Sequence, residues 1–360
     1  MPAPARLIVD LNALSANFHT LARIGGAPVH PVVKADAYGL GAAAVAQRLA
    51  ALGAGSFYVA QLDEALALRP LLPGARLCVL YGCLPGEERP FVAEGLVPVL
   101  NSREQIRLWQ AAAAAAGRRL PAVLHLDSGI SRLGLPLEEA AELHPDHAAP
   151  RALATETVMS HPACADEPDH ALNPTQLERV LAFARRFTGV PRSLAAASGI
   201  FLGPAWCLEQ VRPGYALYGG NPTPGPNPMR AVVSLKARIL QVRRVDSPTT
   251  VGYGASHRVG GPTRLATLGL GYADGFHRAL SNRGRLFLDG VPLPVVGRVS
   301  MDLIVVDVSQ LPEAKAQPGM LLDVLGPDQD IDALARDGGT IGYELLTQLG
   351  RRYHRSYAGA

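Results

Sequence analysis

The sequence predicts an α/β protein with an N-terminal (β/α)8 TIM-type barrel followed by a C-terminal β-rich domain. Between residues 29 and about 218, short apolar runs of β type alternate with longer segments whose apolar residues recur at helical spacing. A proline-rich stretch follows, and beyond it β-type runs are separated by Gly, Pro and Asp turns. A chain of 360 residues is long enough for both parts.

The first part contains eight apolar runs. They are VHPVV (29–33), SFYVA (56–60), RLCVLY (76–81), VPVL (97–100), AVLHL (122–126), TETVMS (155–160), SLAAAS (193–198) and VRPGYALYG (211–219). Because βα units with short connections form parallel sheets, eight of them fit a closed barrel, whose chemistry lies at the carboxyl ends of the strands. The polar residues that close or follow these runs are therefore site candidates: Lys34, Arg132, His161, Ser198 and Arg212.

The stretch NPTPGPNPMR, residues 221–230, holds four prolines and marks the domain boundary. Proline can neither continue a helix nor pair inside a central strand. We therefore expect the barrel over residues 1–226 and the β-rich domain over residues 227–360. The β-type runs of the second domain are AVVSLKARILQVRRV (231–245), TRLATLGLGYADG (263–275), RLFLDG (285–290), PLPVVGRVS (292–300) and LIVVDVS (303–309).

Composition and charge exclude several classes of function. The net charge of +3 is small, and the arginines are dispersed, so the chain has no nucleic-acid footprint. No window reaches the eighteen or so apolar residues of a membrane helix, and the first residues lack the pattern of a secretory signal. The four cysteines form no CxxC pair, which favours free thiols over zinc or disulfides; they are Cys78, Cys83, Cys164 and Cys207. We expect a cytoplasmic protein without a metal.

Lys34 follows the first β run directly and precedes a Gly-containing turn, in HPVVKADAYGLG. A lysine is almost never fully buried unless it is paired or chemically used. At the catalytic end of a barrel strand it could form an ion pair, contact a phosphate, or form a Schiff base with a carbonyl cofactor. The position alone leaves these three uses open.

Seven motifs, taken together and in chain order, make the chain resemble the alanine racemase family of fold-type III pyridoxal-phosphate enzymes. They are VVKADAYGLG, DSGISRLG, VMSHPACAD, VRPGYALYG, VGYGAS, GYADG and GRVSMD. The resemblance extends from about residue 7 to Tyr343. It implies a homodimer with shared active sites that interconverts L-alanine and D-alanine through a PLP external aldimine, by a two-base mechanism. The product would supply peptidoglycan synthesis, or the enzyme would degrade D-alanine.

The resemblance implies a set of residues around pyridoxal 5'-phosphate. Lys34 would hold the cofactor covalently, and Arg212 would face its pyridine nitrogen. An arginine cannot accept a proton, so it would keep that nitrogen unprotonated and make the ring a weaker electron sink. The phosphate would be bound by Tyr38, Ser198, the backbone around Gly214 and Tyr215, and Tyr343.

Racemisation needs a proton carrier on each face of a planar intermediate, and the resemblance assigns Lys34 and Tyr253. His161 would join Tyr253 to Arg212 by hydrogen bonds. Tyr253 would come from the partner chain. The substrate carboxylate would be bound by Arg132 and the backbone amide of the partner's Met301. The remaining assignments are supporting or entrance positions: Asp166, Tyr272, Arg278, Arg298 and Asp302, with Asp63 as a structural acid.

One position departs from the family pattern. Many members carry a carbamylated lysine two residues before the aspartate of the DxG motif, and its negative charge orients the arginine. This chain has His125 there. A neutral imidazole accepts one hydrogen bond and brings no anionic charge, so the way in which Arg132 is held stays open.

Three alternative functions remain. The first is a PLP-dependent racemase with a broader range of small amino acids. The second is a fold-type III amino-acid decarboxylase, which commonly has a glutamate against the pyridine nitrogen and a cysteine near the substrate, whereas VRPGYALYG offers an arginine. The third is a non-catalytic PLP carrier, which would suit a barrel without the domain that carries Tyr253.

Overall fold

The computed structural model describes residues 4–143 and 152–359. The chain divides into two compact units. The barrel unit consists of Ser15–Leu217 and Asn221–Met229, and the β unit consists of the residues up to Leu14, Tyr218–Gly220 and the residues from Arg230 onward.

The strands are, in chain order, β1 Ala5–Asp10, β2 Ser56–Val59, β3 Arg76–Val79, β4 Val97–Leu100, β5 Leu120–His125, β6 Leu153–Met159, β7 Arg192–Ser193, β8 Val233–Val245, β9 Thr249–Val251, β10 His257–Val259, β11 Thr263–Leu268, β12 Arg285–Leu288, β13 Val291–Pro294, β14 Ile304–Asp307, β15 Leu321–Leu325 and β16 His354–Ala358.

The described helices are α1 Leu11–Gly25, α2 Ala42–Ala51, α3 Leu62–Leu68, α4 Glu88–Glu94, α5 Arg103–Ala115, α6 Leu137–Glu142, α7 Leu172–Ala184, α8 Pro204–Cys207, α9 Ile331–Gly338 and α10 Gly342–Thr347. Short 3-10 helices cover Ser198–Leu202, Tyr215–Tyr218, Tyr253–Ala255, Tyr272–Asp274, Arg278–Leu280 and Glu313–Lys315. Within the described ranges, no helix is long and apolar enough to cross a membrane.

The barrel unit has six parallel strands, β2 to β7, paired in chain order. Of the other two predicted runs, the first is joined to β2 by a single parallel bridge between Val32 and Tyr58, and to the eighth run by another between Val29 and Val211. The prolines of these runs explain why the pairing is so short, because a proline has no N–H to donate. Their carbonyls still accept: the N–H of Val32 donates to Pro213 at 2.9 Å, and that of Tyr58 to Pro31 at 2.9 Å.

Side chains fill the inside of the barrel. One buried cluster consists of Tyr58, Cys78, Val97, Val99, Val123 and Met159. The helices cover the outside with their apolar faces; Trp109 of α5, for example, is fully buried and packs edge-on against Phe91 with ring centroids 5.8 Å apart. The four cysteines are free thiols.

The β unit is built around the 13-residue strand β8. This strand pairs antiparallel with β1, β15 and β11, while β1 also pairs parallel with β16. The first strand therefore belongs to the β unit, which differs from the predicted division at residue 226. The alternation of buried and more exposed residues in β1 shows that one face of the strand packs against a core.

Candidate active site

Lys34 begins a left-handed helical turn. Ala35, Asp36, Ala37 and Tyr38 have φ between 53° and 55° and ψ between 40° and 52°. For L-residues this conformation costs roughly 1–2 kcal/mol each. Four consecutive residues without a glycine are therefore strained, and such strain persists where surrounding bonds enforce it, commonly at functional sites.

Lys34 is half-buried. Burial lowers the pKa of its amine below the usual range, and the positive charge of Arg132 lowers it further, while Glu64 acts in the opposite direction. Loss of the positive charge makes an amine available as a nucleophile or a base. The lowered pKa favours covalent chemistry over a simple ion pair at this position.

Tyr38 and Gly214 approach each other closely. A Cβ added at Gly214 would collide with the hydroxyl of Tyr38, so only a glycine lets the backbone come this near. Both residues are buried. Half-buried Ser198 begins one 3-10 helix and Tyr215 begins another. Backbone next to a hydroxyl in such loops is suited to bind an anion.

Arg212 is 3% exposed, and no carboxylate pairs with it among the described residues. Its guanidinium donates to the Ser160 carbonyl at 2.6 Å and to the hydroxyl of Ser193. Its Cζ lies 5.7 Å from the ring centroid of Tyr58. Burial lowers the pKa of Arg212, but a guanidinium stays protonated in proteins. The arginine is thus a fixed buried cation held by neutral partners.

His161 follows β6 and is half-buried. Burial and the charge of Arg212 lower its pKa to about 3. Its carbonyl accepts a hydrogen bond from the side chain of Gln176 at 3.1 Å. The imidazole is therefore neutral at physiological pH.

Arg132 lies exposed on a loop that is tied to the end of β5. One oxygen of Asp127 accepts the backbone N–H groups of Gly129, Ile130 and Ser131 at 2.9, 2.9 and 3.2 Å. The N–H of Leu135 returns to the carbonyl of His125 at 2.7 Å. The loop is thus a closed structure anchored beside His125. Two other predicted residues are exposed in this unit: Asp166 lies after β6, and Asp63 lies in α3.

Hydrogen bonds of Asn101 assign the tautomer of His125. The Asn101 amide nitrogen donates to the carbonyls of Leu80 and Val99 at 2.9 and 2.8 Å. Its oxygen, 2.7 Å from Nδ1 of His125, must therefore accept, so Nδ1 carries the proton. Nε2 is then a bare acceptor, buried and without a hydrogen-bond partner in the described part of the chain. Burial and the charge of Arg212 lower the pKa of this imidazole to about 3.

The β unit carries the other predicted residues, and most of them are exposed. Tyr253 is 71% exposed, Met301 54%, Tyr272 43% and Tyr343 40%. Backbone bonds join two of their motifs: the N–H of Tyr272 donates to Ser300, and that of Ala273 donates to Met301, both at 3.0 Å. Arg278, Arg298 and Asp302 are also exposed.

Arg298 and Asp302 have identifiable neighbours within the β unit. A Cβ at Gly254, next to Tyr253, would lie 2.8 Å from the Arg298 guanidinium. Asp302 pairs with Arg352 at 2.7 Å, and the same guanidinium makes two bonds to Asp274. The Tyr253 motif and Arg298 therefore lie next to each other, and Asp302 is held by an arginine.

Two family models match the chain. One, described as "Alanine racemase, N-terminal domain", covers residues 9–222, and one described as "Alanine racemase, C-terminal domain" covers residues 232–357. The chain belongs to the alanine racemase family. The predicted family and fold class are thereby confirmed.

Relatives in this family match over nearly their whole length. The alanine racemase of Rhodospirillum rubrum is 53% identical over 99% of this chain and 96% of that protein. A protein of Agrobacterium fabrum named "Alanine racemase, catabolic" is 49% identical over 99% of this chain and 92% of that one. The crystal structure of alanine racemase from Bartonella henselae with covalently bound pyridoxal phosphate has a TM-score of 0.95 at 38% identity, covering 99% of this chain and all of that one.

Several residues at the site were missed by sequence reasoning. They are Tyr58, Glu64, Asn101, Ser160, Ser193 and Arg352. Glu64 had a local signal, because a Glu three residues after a helix-capping position is a common capping pattern. The others act through contacts between segments far apart in the chain, which no local pattern indicates.

Proposed function

We propose that this protein interconverts L-alanine and D-alanine, with pyridoxal 5'-phosphate as its cofactor and Lys34 and Tyr253 as its two proton carriers. The observation that carries the proposal is the amine of Lys34, whose pKa is lowered by burial and which is presented by a strained turn. The names of the relatives support the same activity.

The barrel unit has residues that fit pyridoxal 5'-phosphate. The close approach of Tyr38 to the backbone of Gly214 forms a cradle that a Cβ would fill. Ser198, Tyr215 and Tyr343 complete the proposed phosphate contacts. When bound, the cofactor withdraws electrons from the α-carbon of an amino acid attached to it, so that the α-proton can leave.

Lys34 moves a proton at Nζ on one face of the substrate. Its lowered pKa increases the unprotonated fraction near neutral pH. An unprotonated amine is needed both for covalent attachment of the cofactor and for removal of the α-proton.

Arg212 is the proposed partner of the ring nitrogen of the cofactor. As a permanent cation it donates and does not accept a proton, so the ring nitrogen stays unprotonated. Electron withdrawal is then moderate, which favours return of the proton over transamination. Ser193, Ser160 and the ring of Tyr58 hold the guanidinium in place.

Tyr253 holds and moves the second proton at its phenolic oxygen. A phenol with a pKa near 10 needs stabilisation of its anion to act as a base at neutral pH. We assign that stabilisation to His161 and, through it, to Arg212. Tyr253 is 71% exposed in the single chain, which suits a residue that acts in the partner's site.

Arg132 and the backbone amide of the partner's Met301 are the proposed ligands of the substrate carboxylate, because a guanidinium fork matches two carboxylate oxygens. The proposed entrance is lined by Asp166, Tyr272, Arg278 and Arg298, with Asp302 in a supporting position. A narrow entrance suits a small amino acid.

A homodimer with shared active sites follows from these assignments. Exposed apolar side chains of the β unit support it: Tyr253, Tyr272, Met301, Leu303, Ile341 and Tyr343. The motifs of Tyr272 and Met301 are joined by backbone bonds, and exposed apolar side chains that adjoin one another mark an interaction site. Cytoplasmic localisation stays part of the proposal.

The test is chiral chromatography of D-alanine incubated with the purified protein. We expect approach to an equal mixture of enantiomers and, after borohydride reduction, a phosphopyridoxyl label on the peptide that contains Lys34. Lys34→Ala should lose the label and nearly all turnover. Release of ethylamine would instead identify a decarboxylase, and equal rates with L-serine would identify the broader racemase. Turnover of Lys34→Ala at the wild-type rate would contradict the proposal.

A further inference from the structure

We propose that Glu64 is a positioning residue that clamps the turn carrying Lys34 to the carboxyl end of β2. The inference rests on the proposed role of Lys34 and deepens it. The sequence motif around Glu64, AQLDEALALR, has no part in the function proposed above.

The two carboxylate oxygens of Glu64 have separate partners. Oε2 accepts the backbone N–H groups of Ala60 at 2.7 Å and Gln61 at 3.3 Å. These bonds belong to the start of α3, where a glutamate at the third position commonly caps the helix. Oε1 accepts the N–H of Ala35 at 2.5 Å. Helix capping accounts for one oxygen, and the other reaches the residue directly after Lys34.

The turn needs restraints from outside because its conformation is unfavourable. Bonds within the segment fix its shape: the N–H of Gly41 donates to the Asp36 carbonyl at 2.8 Å, and that of Ala42 to the Asp36 side chain at 2.7 Å. Such bonds do not fix where the turn lies in the barrel. Glu64 does this for Ala35, twenty-nine residues away in the chain.

Lys34 is restrained on both sides by the same strand region. Before it, the N–H of Val33 donates to the carbonyl of Tyr58 in β2 at 2.9 Å. After it, Ala35 is held by the carboxylate that also binds Ala60, just beyond β2. These two attachments set the position of the Lys34 backbone relative to the barrel wall.

Glu64 also acts on the charge of Lys34. The charged or titratable groups that face this amine are Glu64 from α3, Arg132 from the loop after β5, and His161 after β6. His161 is neutral, because its own pKa is lowered to about 3. Arg132 lowers the pKa of Lys34 and Glu64 raises it. Without the carboxylate charge, Arg132 is unopposed and the pKa of Lys34 falls further.

The first test is hydrogen exchange of the full-length holoenzyme, read by mass spectrometry on a peptide that covers residues 34–41. Glu64→Gln keeps the shape of the side chain but turns one acceptor into a donor. With the amide oxygen toward Ala60 and Gln61, two bonds are kept and the bond to Ala35 is lost. We expect about tenfold faster exchange in this peptide. The matched control is Asp63→Asn, which removes a charge from the neighbouring, exposed residue of the same helix turn.

The second test separates positioning from general stability. For Glu64→Gln we expect kcat to fall roughly tenfold to a hundredfold, as misplacement of a catalytic group does, with a smaller change in KM. The acid limb of the pH profile for uptake of pyridoxal 5'-phosphate by the apo-protein should move to lower pH. Asp63→Asn should match wild type in all three measurements.

Glu64→Asp is a second variant that tests the same clamp if Glu64→Gln does not fold. It keeps the charge but shortens the reach, so exchange should rise while the acid limb stays in place. The clamp would be overturned if both Glu64 variants showed wild-type exchange and turnover. It would also be overturned if Asp63→Asn had effects equal to those of the Glu64 variants. If the wild-type enzyme does not racemise alanine while the exchange results hold, the proposed function fails and the clamp stands.

Discussion

Two arginines and three neutral histidines contribute to the electrostatics of the barrel unit. Arg212 is buried without a carboxylate partner among the described residues, and Arg132 extends from the loop after β5. Burial and nearby arginines lower the pKa to about 4 for His30 and to about 3 for His125 and His161. The charge of Arg132 is opposed near Lys34 by the carboxylate of Glu64, and the positive charge of the two arginines suits a ligand that carries a phosphate and a carboxylate.

Motifs in the sequence predicted a set of site residues through the family resemblance, and the roles of these residues stay predictions. The tautomer of His125 could not be predicted, because it depends on Asn101, which is itself held by two carbonyls on other residues. At the position where many family members carry a carbamylated lysine, this chain therefore offers a neutral imidazole whose Nε2 can accept a hydrogen bond.

Replacement of Tyr253 by Phe tests the second proton carrier. Because the hydroxyl carries the proton and the ring only fills space, Tyr253→Phe should bind the cofactor with an unchanged absorbance band. Racemisation should fall by roughly 10² to 10⁴-fold, the contribution of a positioned acid or base. The assignment fails if chiral chromatography gives a rate within a factor of two or so of wild type.

At the scale of elements, the loop that carries Arg132 is closed by hydrogen bonds to one side chain and by a close backbone approach. Asp127 gathers three backbone N–H groups onto one oxygen. Gly134 has a φ of 114° and lies so close to the chain that a Cβ would come within 2.6 Å of the Asp127 nitrogen. The loop closes only because this residue has no side chain.

Gly134→Ala should therefore disturb Arg132 without removing it. We expect a loss of about 1–3 kcal/mol in the free energy of unfolding, since alanine is strained at this φ. The KM for alanine should rise by about tenfold, which corresponds to a weakened charge-assisted contact with the carboxylate. Steady-state kinetics and thermal denaturation measure both effects, and an unchanged KM would argue against the role of the loop.

The eight apolar runs predicted the barrel. They did not predict how briefly the first and eighth runs pair, or the left-handed turn after Lys34. The first and eighth runs pair by single bridges because of their prolines. The left-handed turn after Lys34 has no local signal, since Ala-Asp-Ala-Tyr contains no glycine. Bonds within the segment fix its shape, and the bond that Ala35 donates to Glu64 joins residues far apart in the sequence.

At the scale of the whole molecule, the chain begins and ends in the same sheet. β1 pairs with β8 and with β16, so the first strand of the chain is stabilised by residues more than 220 positions later. The sequence predicted one boundary at residue 226, from its prolines, whereas the β unit also contains β1 and Tyr218–Gly220. It could not place β1, because an alternating strand does not reveal its partner.

Acid should destabilise the protein through its neutral histidines. His30 has a pKa of about 4 in the fold and 6.5 as a free side chain, so the unfolded state binds more protons between these values. Stability present above pH 6.5 is therefore lost as the pH falls towards 4. Thermal denaturation should show a shallower decline over this window for His30→Gln than for wild type. Parallel curves for the two proteins would show that His30 does not contribute.

Subunit mixing tests most directly the central claim, that Lys34 of one chain and Tyr253 of another serve opposite faces of one substrate. Lys34→Ala and Tyr253→Phe homodimers each lack one carrier in every site. Each mixed dimer should contain one site with both wild-type groups, so activity should rise on mixing to a fraction set by the proportion of heterodimer. No recovery, with subunit exchange shown by native mass spectrometry, would contradict the shared site.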